Sequence, residues 1–257
     1  MLANYHTHTW RCGHAKGTER EYVDAAIERG LEILGFSDHT PCPFPWYHHS
    51  LIRMKCNQLG DYVDSVSALR DEYSGIIDLR LGVEAEYYPA YFSELRSMLA
   101  DHSIEYMILG QHFLDNEVFA HYSGRPTASE AHLAQYCRQT RDAMQTGLFS
   151  YFAHPDLLRF IGNEHTYTRH MRGLCKDANN CGMPLELNLL GLEAGKHYPN
   201  RRFWEIAAEE GCSVILGCDT HDPAALLDRS SEDKAMNLIQ ELELVLVERL
   251  ELRPIVK

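Results

Sequence analysis

Seven short apolar runs punctuate this chain, at residues 2–5, 31–36, 76–83, 104–109, 149–153, 184–188 and 213–217, and stretches of helical periodicity separate them. That alternation constrains the fold more than any other feature, because strand–helix–strand order implies parallel strands joined by helical crossovers. Helices are expected over residues 17–30, 58–73, 91–99, 129–146, 165–181 and 202–210, and again from residue 231. The first carries its own punctuation: Thr18 as N-cap, Glu21 three residues on, and Gly30 as terminator. Residues 244–252 alternate in a way that suits either strand or helix. At 257 residues, 45% of them hydrophobic, the chain is long enough for one large core, so a single domain over residues 1–257 is expected.

Parallel strands with helical crossovers make either a barrel or an open doubly wound sheet. Six of the seven runs end in a histidine or an acid. In a parallel barrel, functional residues gather at the C-terminal ends of the strands and face one mouth. An open sheet would spread them along a line, and no Gly-x-Gly-x-x-Gly or phosphate-loop motif supports one. The expectation is therefore a distorted seven-stranded α/β barrel with its site at the C-terminal strand ends.

Those ends supply His6, His8, His39, Glu84, His112, His154, Asp219 and His221, and His14 follows in the first loop. Residues i and i+2 of a strand share a face, so His6 and His8 aim two imidazoles into one space. With 15 histidines in the chain, seven at these positions are too many for incidental placement. Imidazole mixed with carboxylate suits zinc, manganese or iron. Asp38 precedes His39 and is placed to orient an imidazole or to cap a helix. Arg159 and, more weakly, Arg11 are candidates to hold an anion, while Asn188, Lys196 and His197 are candidates for the mouth. Glu86, Tyr87, Asp115 and Tyr198 are nearest by loop position to receive a cationic end of a substrate.

Composition narrows the partners. A formal charge of −13, with no basic run, disfavours nucleic acid. No apolar run approaches a membrane span, and no leader segment is visible, so a cytoplasmic protein is expected. Eight cysteines without a C-x-x-C pair read as reduced, packing thiols. No serine or cysteine nucleophile with an adjacent base is recognisable, so no phosphoenzyme is expected. Nothing in the sequence marks an oligomeric state.

His6-Thr7-His8-Thr9, Asp38-His39, Gly82-Val83-Glu84, His112, His154-Pro155-Asp156 and Asp219-Thr220-His221 together resemble the motif set of the PHP (polymerase and histidinol phosphatase) superfamily. The resemblance implies a distorted barrel of seven β/α units holding two or three divalent ions. It implies that His6, His8, Glu84 and Asp219 hold one ion. Glu84 would bridge to a second with His112 and His154, and His14, His39 and His221 would hold a third. Glu84 and Asp219, with Asp38 behind them, are the carboxylates expected to serve catalysis. Such a site concentrates positive charge in an acidic protein and suits a phosphate monoester. Divalent ions lower the pKa of bound water and clamp phosphoryl oxygens. Among the members it resembles are histidinol-phosphate phosphatases, which carry a basic residue at the place of Arg159. The segment Leu189-Leu190-Gly191-Leu192-Glu193 departs from their pattern, with no arginine following. The expected activity is hydrolysis of histidinol phosphate. The alternatives are another small phosphate ester or nucleotide, and a non-catalytic metal-binding accessory protein.

Overall fold

A computed structural model describes residues 1–118 and 121–255. Its strands are β1 (Ala3–Asn4), β2 (Ile33–Phe36), β3 (Asp78–Ala85), β4 (Tyr106–Leu109), β5 (Phe149–Phe152), β6 (Leu185–Asn188), β7 (Ser213–Gly217) and β8 (Val245–Leu246). All pair in parallel, in the order of the chain, as one curled half-barrel sheet. The seven-strand expectation is thus corrected to eight. The extra strand comes from the alternating tail, where Val245 and Leu246 pair with Ser213 and Val214 at the start of β7.

The helices are α1 (Glu19–Arg29), α2 (Leu59–Glu72), α3 (Phe92–Ala100), α4 (Glu130–Gln145), α5 (Glu164–Asn180), α6 (Leu189–Glu193), α7 (Arg201–Glu209) and α8 (Arg229–Leu242). Local chemistry sets their ends. Thr18 and Glu21 form the reciprocal capping box of α1, and Gly30 closes it at φ 85°, a conformation that favours glycine. Ser129, Asn163 and Asn200 cap α4, α5 and α7.

The strands are buried on both faces, and their period of two separates two cores. Outward residues such as Leu81, Val83, Met107, Leu109, Leu185 and Leu187 pack against the helices in the main core. Inward residues form a smaller cluster that includes Tyr5, Tyr106, Ile108, Tyr151 and Ile215. Tyr106 shows how tightly this inner cluster packs. A Cβ on Gly35 or Gly82 would lie 2.2 or 2.3 Å from its ring or hydroxyl, and that hydroxyl donates to the Tyr5 carbonyl at 2.9 Å.

Above this aromatic plug the first and seventh strand ends meet. Thr7 bridges Thr220 in parallel; His8 N donates to Thr220 O at 3.0 Å, and Thr220 N donates to His6 O at 3.2 Å. Asn4 reinforces the seam by accepting from Cys218 N at 2.9 Å. This junction is what brings the first histidine pair to Asp219 and His221. Among the described residues, no helix is long and apolar enough to cross a membrane.

Candidate metal centre

The seven imidazoles at the strand ends form one contiguous array around two carboxylates. His8 stacks on His221 with ring centroids 4.0 Å apart, and His14 stacks on His221 at 4.6 Å. His39 and His154 each lie 5.0 Å from His112, and His6 is 5.1 Å from His8. Glu84 sits at the centre. Its Oε1 is 2.9 Å from His154 Nε2 and 3.5 Å from His112 Nε2; its Oε2 is 2.8 Å from His39 Nδ1 and 3.6 Å from both His6 and His8. Asp219 Oδ1 is 3.2 Å from His8 Nε2 and 3.4 Å from His6 Nε2. The space for Glu84 exists because residue 110 is glycine, where a Cβ would lie 1.8 Å from its Oε1.

A second set of acceptors fixes the rings from behind. Nδ1 of His6 faces Glu186 at 2.7 Å, that of His8 faces Asp38 at 3.4 Å, and that of His112 faces Glu86 at 3.0 Å. Nδ1 of His14 and His221 face the carbonyls of Cys12 and Asp219 at 3.1 and 3.0 Å. In all five, the outer nitrogen is held, so Nε2 is the atom turned toward the array. This is the arrangement by which protein carboxylates and carbonyls aim metal-binding imidazoles. His154 and Asp219 take the left-handed conformation, φ 33° and 48°. For residues other than glycine that costs on the order of 1–3 kcal/mol each, a cost tolerated where surroundings fix the backbone.

Nε2 of His6, His8 and His221 and Nδ1 of His154 are buried without a hydrogen-bond partner, and Nδ1 of His39 and Oε2 of Glu84, though 2.8 Å apart, are not aligned as a hydrogen bond. Buried polar atoms are ordinarily satisfied, so an unsatisfied convergent set calls for a cation. Ligand atoms of His6, His8 and Asp219 lie within 4.8 Å of one another, as do those of His6, Glu84 and His154, of His8, His39 and Glu84, and of His14, His39 and His221. The donor set fits divalent ions. Cys12 also reaches this distance from His8 and His221. Burial pushes its thiol up to about 12, so a thiolate there is costly.

Charge is strongly coupled across the array. Burial works to raise Glu84, but His112, His39 and His6 outweigh it and hold the carboxyl well below its usual range. Burial likewise works to lower His8, yet Asp219 and Asp38 lift it to about 9. His39 is driven down to about 4, first by burial and then by the His8 charge, against the pull of Glu84. The carboxylates therefore favour positive charge on some rings while the rings disfavour it on each other, and compact cations answer both demands.

The cavity over the array has a volume of ≈ 450 Å³. Beyond the histidines and Asp219 it is lined by Arg125 and Lys196, by Phe113, Tyr122 and Tyr198, and by Ile52, Leu157 and Leu190. Of the mouth candidates read from sequence, Lys196 and Tyr198 are in place, with Lys196 Nζ 3.1 Å from the Tyr198 hydroxyl. Arg159 is exposed and does not line the cavity. Its backbone pairs with Ser123 and Thr127, on the loop that brings Arg125 to the mouth instead. Arg11 is also displaced from the expected position: it is buried in ion pairs with Glu19 and Asp61. His197 Nε2 donates to Leu157 O at 2.8 Å and lies outside the lining. Asn188 points inward but serves the array, donating to Glu186 at 2.9 Å and Asp219 at 3.1 Å while capping α6. Glu86 is no mouth acid, because Arg53 grips both its oxygens at 2.8 Å and His112 Nδ1 shares Oε1 at 3.0 Å. Tyr87 and Asp115 also lie outside the lining.

Sequence reasoning missed Glu186, Arg125 and Tyr122. Only Glu186 carried a signal: a lone carboxylate on the same strand face as Asn188, inside an apolar run.

The PHP domain model matches residues 4–189. A probable histidinol-phosphatase of Deinococcus radiodurans is 34% identical over 233 residues, covering 86% of this chain and 87% of that protein. The histidinol-phosphatase of Bacillus subtilis is 26% identical, with 84% of this chain and 92% of the relative covered. In fold, the chain resembles the histidinol phosphate phosphatase of Lactococcus lactis, solved with zinc, L-histidinol and phosphate, with a TM-score of 0.74. That likeness covers 96% of this chain and 95% of the other, at 20% identity. Motifs, fold and family match agree: the chain belongs to the PHP domain family.

Proposed function

We propose that this protein is a metal-dependent phosphomonoesterase that hydrolyses histidinol phosphate to histidinol and phosphate, acting in the cytoplasm as one catalytic domain over residues 1–257. The observation that carries the reading is the convergence of nine suitable ligands, with partnerless buried nitrogens, beneath a mouth bearing two cations. The 34% identity to a probable histidinol-phosphatase supports the choice of substrate.

In this reading His6, His8, Glu84 and Asp219 would hold one ion, Glu84, His112 and His154 a second, and His14, His39 and His221 a third. Bound divalent ions supply an activated water and positive charge for the phosphoryl oxygens. Asp38 and Glu86 orient His8 and His112 through Nδ1. Arg125 and Lys196 draw the dianionic ester into the cavity and neutralise oxygens not taken by ions. The cavity wall offers no carboxylate besides Asp219 among the described residues. The cationic end of histidinol is therefore received by the faces of Tyr122 and Tyr198 rather than by an acid. The leucines beside them exclude water from the reacting face.

The deciding measurement compares kcat/KM for histidinol phosphate and p-nitrophenyl phosphate. The reading expects a ratio of at least about 100, roughly 2.7 kcal/mol of selective transition-state binding. A ratio near one would keep the phosphatase chemistry and remove histidinol phosphate as the substrate. No turnover of either ester by metal-loaded protein would favour a binding role.

A further inference from the structure

Glu186 is fully buried on β6, between β5 and β7, and the proposed metal chemistry does not use it directly. Its three polar contacts are all with donors. Oε1 faces His6 Nδ1 at 2.7 Å; Oε2 accepts from His154 N at 2.9 Å and from Asn188 Nδ2 at 2.9 Å. Asn188 passes the connection on, donating to Asp219 Oδ2 at 3.1 Å. One carboxylate thus touches, directly or through one amide, ligand residues from three other strand ends. Two of them, His154 and Asp219, are the left-handed residues of the array. The sheet reserves room for it: β6 and β7 pair with Asn188 opposite Gly217, and a Cβ on Gly217 would lie 1.9 Å from Glu186 Oε1.

We propose that Glu186 is the positioning residue of the metal centre, aiming His6, fixing the His154 backbone and, through Asn188, orienting Asp219. The inference rests on the metal-dependent reading given above, and it deepens that reading. A carboxylate is required rather than merely tolerated. With Nε2 of His6 turned to an ion, Nδ1 must carry the proton, so Glu186 meets three donors and offers only acceptors. An amide at the same place has one acceptor oxygen and must turn an N–H toward at least one donor. That either turns the His6 ring or releases the His154 backbone.

The test is Glu186→Gln in the full chain, nearly unchanged in volume, with cobalt as the probe. Stoichiometry and affinity are read by competition with a chromophoric chelator, and the visible cobalt spectrum reports ligand geometry. The expected result is a loss of about 10–100-fold in affinity for the ion held by His6, with an altered spectrum. The His14–His39–His221 ion should bind as in wild type, and the urea midpoint of metal-free protein should hold. Gly217→Ala, which displaces the carboxylate without removing it, should give the same selective loss. Wild-type affinity and spectrum in either folded variant would overturn the proposal. So would a lowered urea midpoint with cobalt affinity within threefold of wild type, or failure of both variants to fold, since the role would then be structural. Cobalt binding by wild type without ester hydrolysis would defeat the proposed function and leave this inference standing.

Discussion

The floor of the cavity and its rim are built on different principles. On the floor, nearly every functional atom comes from a strand end, is buried, and has a partner from another strand. Glu84, Glu186 and Asp38 are each less than about one-fiftieth exposed. At the rim, Arg125 and Lys196 come from loops and are exposed, and the Lys196 ammonium meets the Tyr198 hydroxyl. Rigid scaffolds hold chemistry and loops hold selectivity, because loop positions change without disturbing the sheet. In the proposed function the floor would answer for whether a phosphate ester is cleaved, and the rim for which one.

Removing the ions should break the floor outright. Activity toward any phosphate ester should fall to background in verified metal-free protein and return with manganese, zinc, iron or cobalt. Full activity without metal would erase the distinction between the two regions.

Within the floor, central and peripheral ligands should differ. Glu84 contacts a member of every proposed ion group, whereas His14 is exposed at the edge. Glu84→Gln should lower kcat by about 10³-fold or more, against about 10–100-fold for His14→Ala, with metal content falling in the same order. A milder effect for Glu84→Gln would mean that the array has no shared centre.

The rim should show a smaller effect that depends on which arginine is changed. Arg125→Ala should cost about 10–100-fold in kcat/KM, equally for histidinol phosphate and p-nitrophenyl phosphate, because both present the same dianion. Arg159→Ala should change either value by less than about threefold. The reverse order would return Arg159 to the substrate and require the loop at residues 123–127 to move.

Smallest and most selective is the aromatic contact. Tyr198→Leu should cost histidinol phosphate about 2–5-fold, on the order of 0.5–1 kcal/mol, and leave p-nitrophenyl phosphate nearly unchanged. Equal losses for both esters would assign the ring to packing over His154, whose centroid is 6.1 Å away.

The same division separates what was legible from what was not. The strand-end histidines could be read because period and position carry them: a run of apolar residues stops, and a ligand follows. His6 with His8, and Asp219 with His221, needed only the geometry of a strand and the order of the motifs. Arg159 and Arg11 were misplaced for the opposite reason. Both lie in loops, where proximity in sequence to a ligand says little about direction. Arg11 turned to Glu19 and Asp61, and Arg125, from a loop with no motif at all, took the mouth.

By itself the sequence determined the parallel strand order, the helix caps and the chemical identity of the array, since these depend on local propensity and on residues that recur with the period of their element. Only the tertiary structure decided how the array is held. Glu186 finds His6 across 180 positions of chain, and Gly110 and Gly217 matter only because Glu84 and Glu186 fill the space beside them. The eighth strand was decided in the same way: Val245 and Leu246 become a strand because the start of β7 offers them an unpaired edge. Such choices rest on contacts between distant segments, and no local pattern encodes which buried carboxylate will meet which ring.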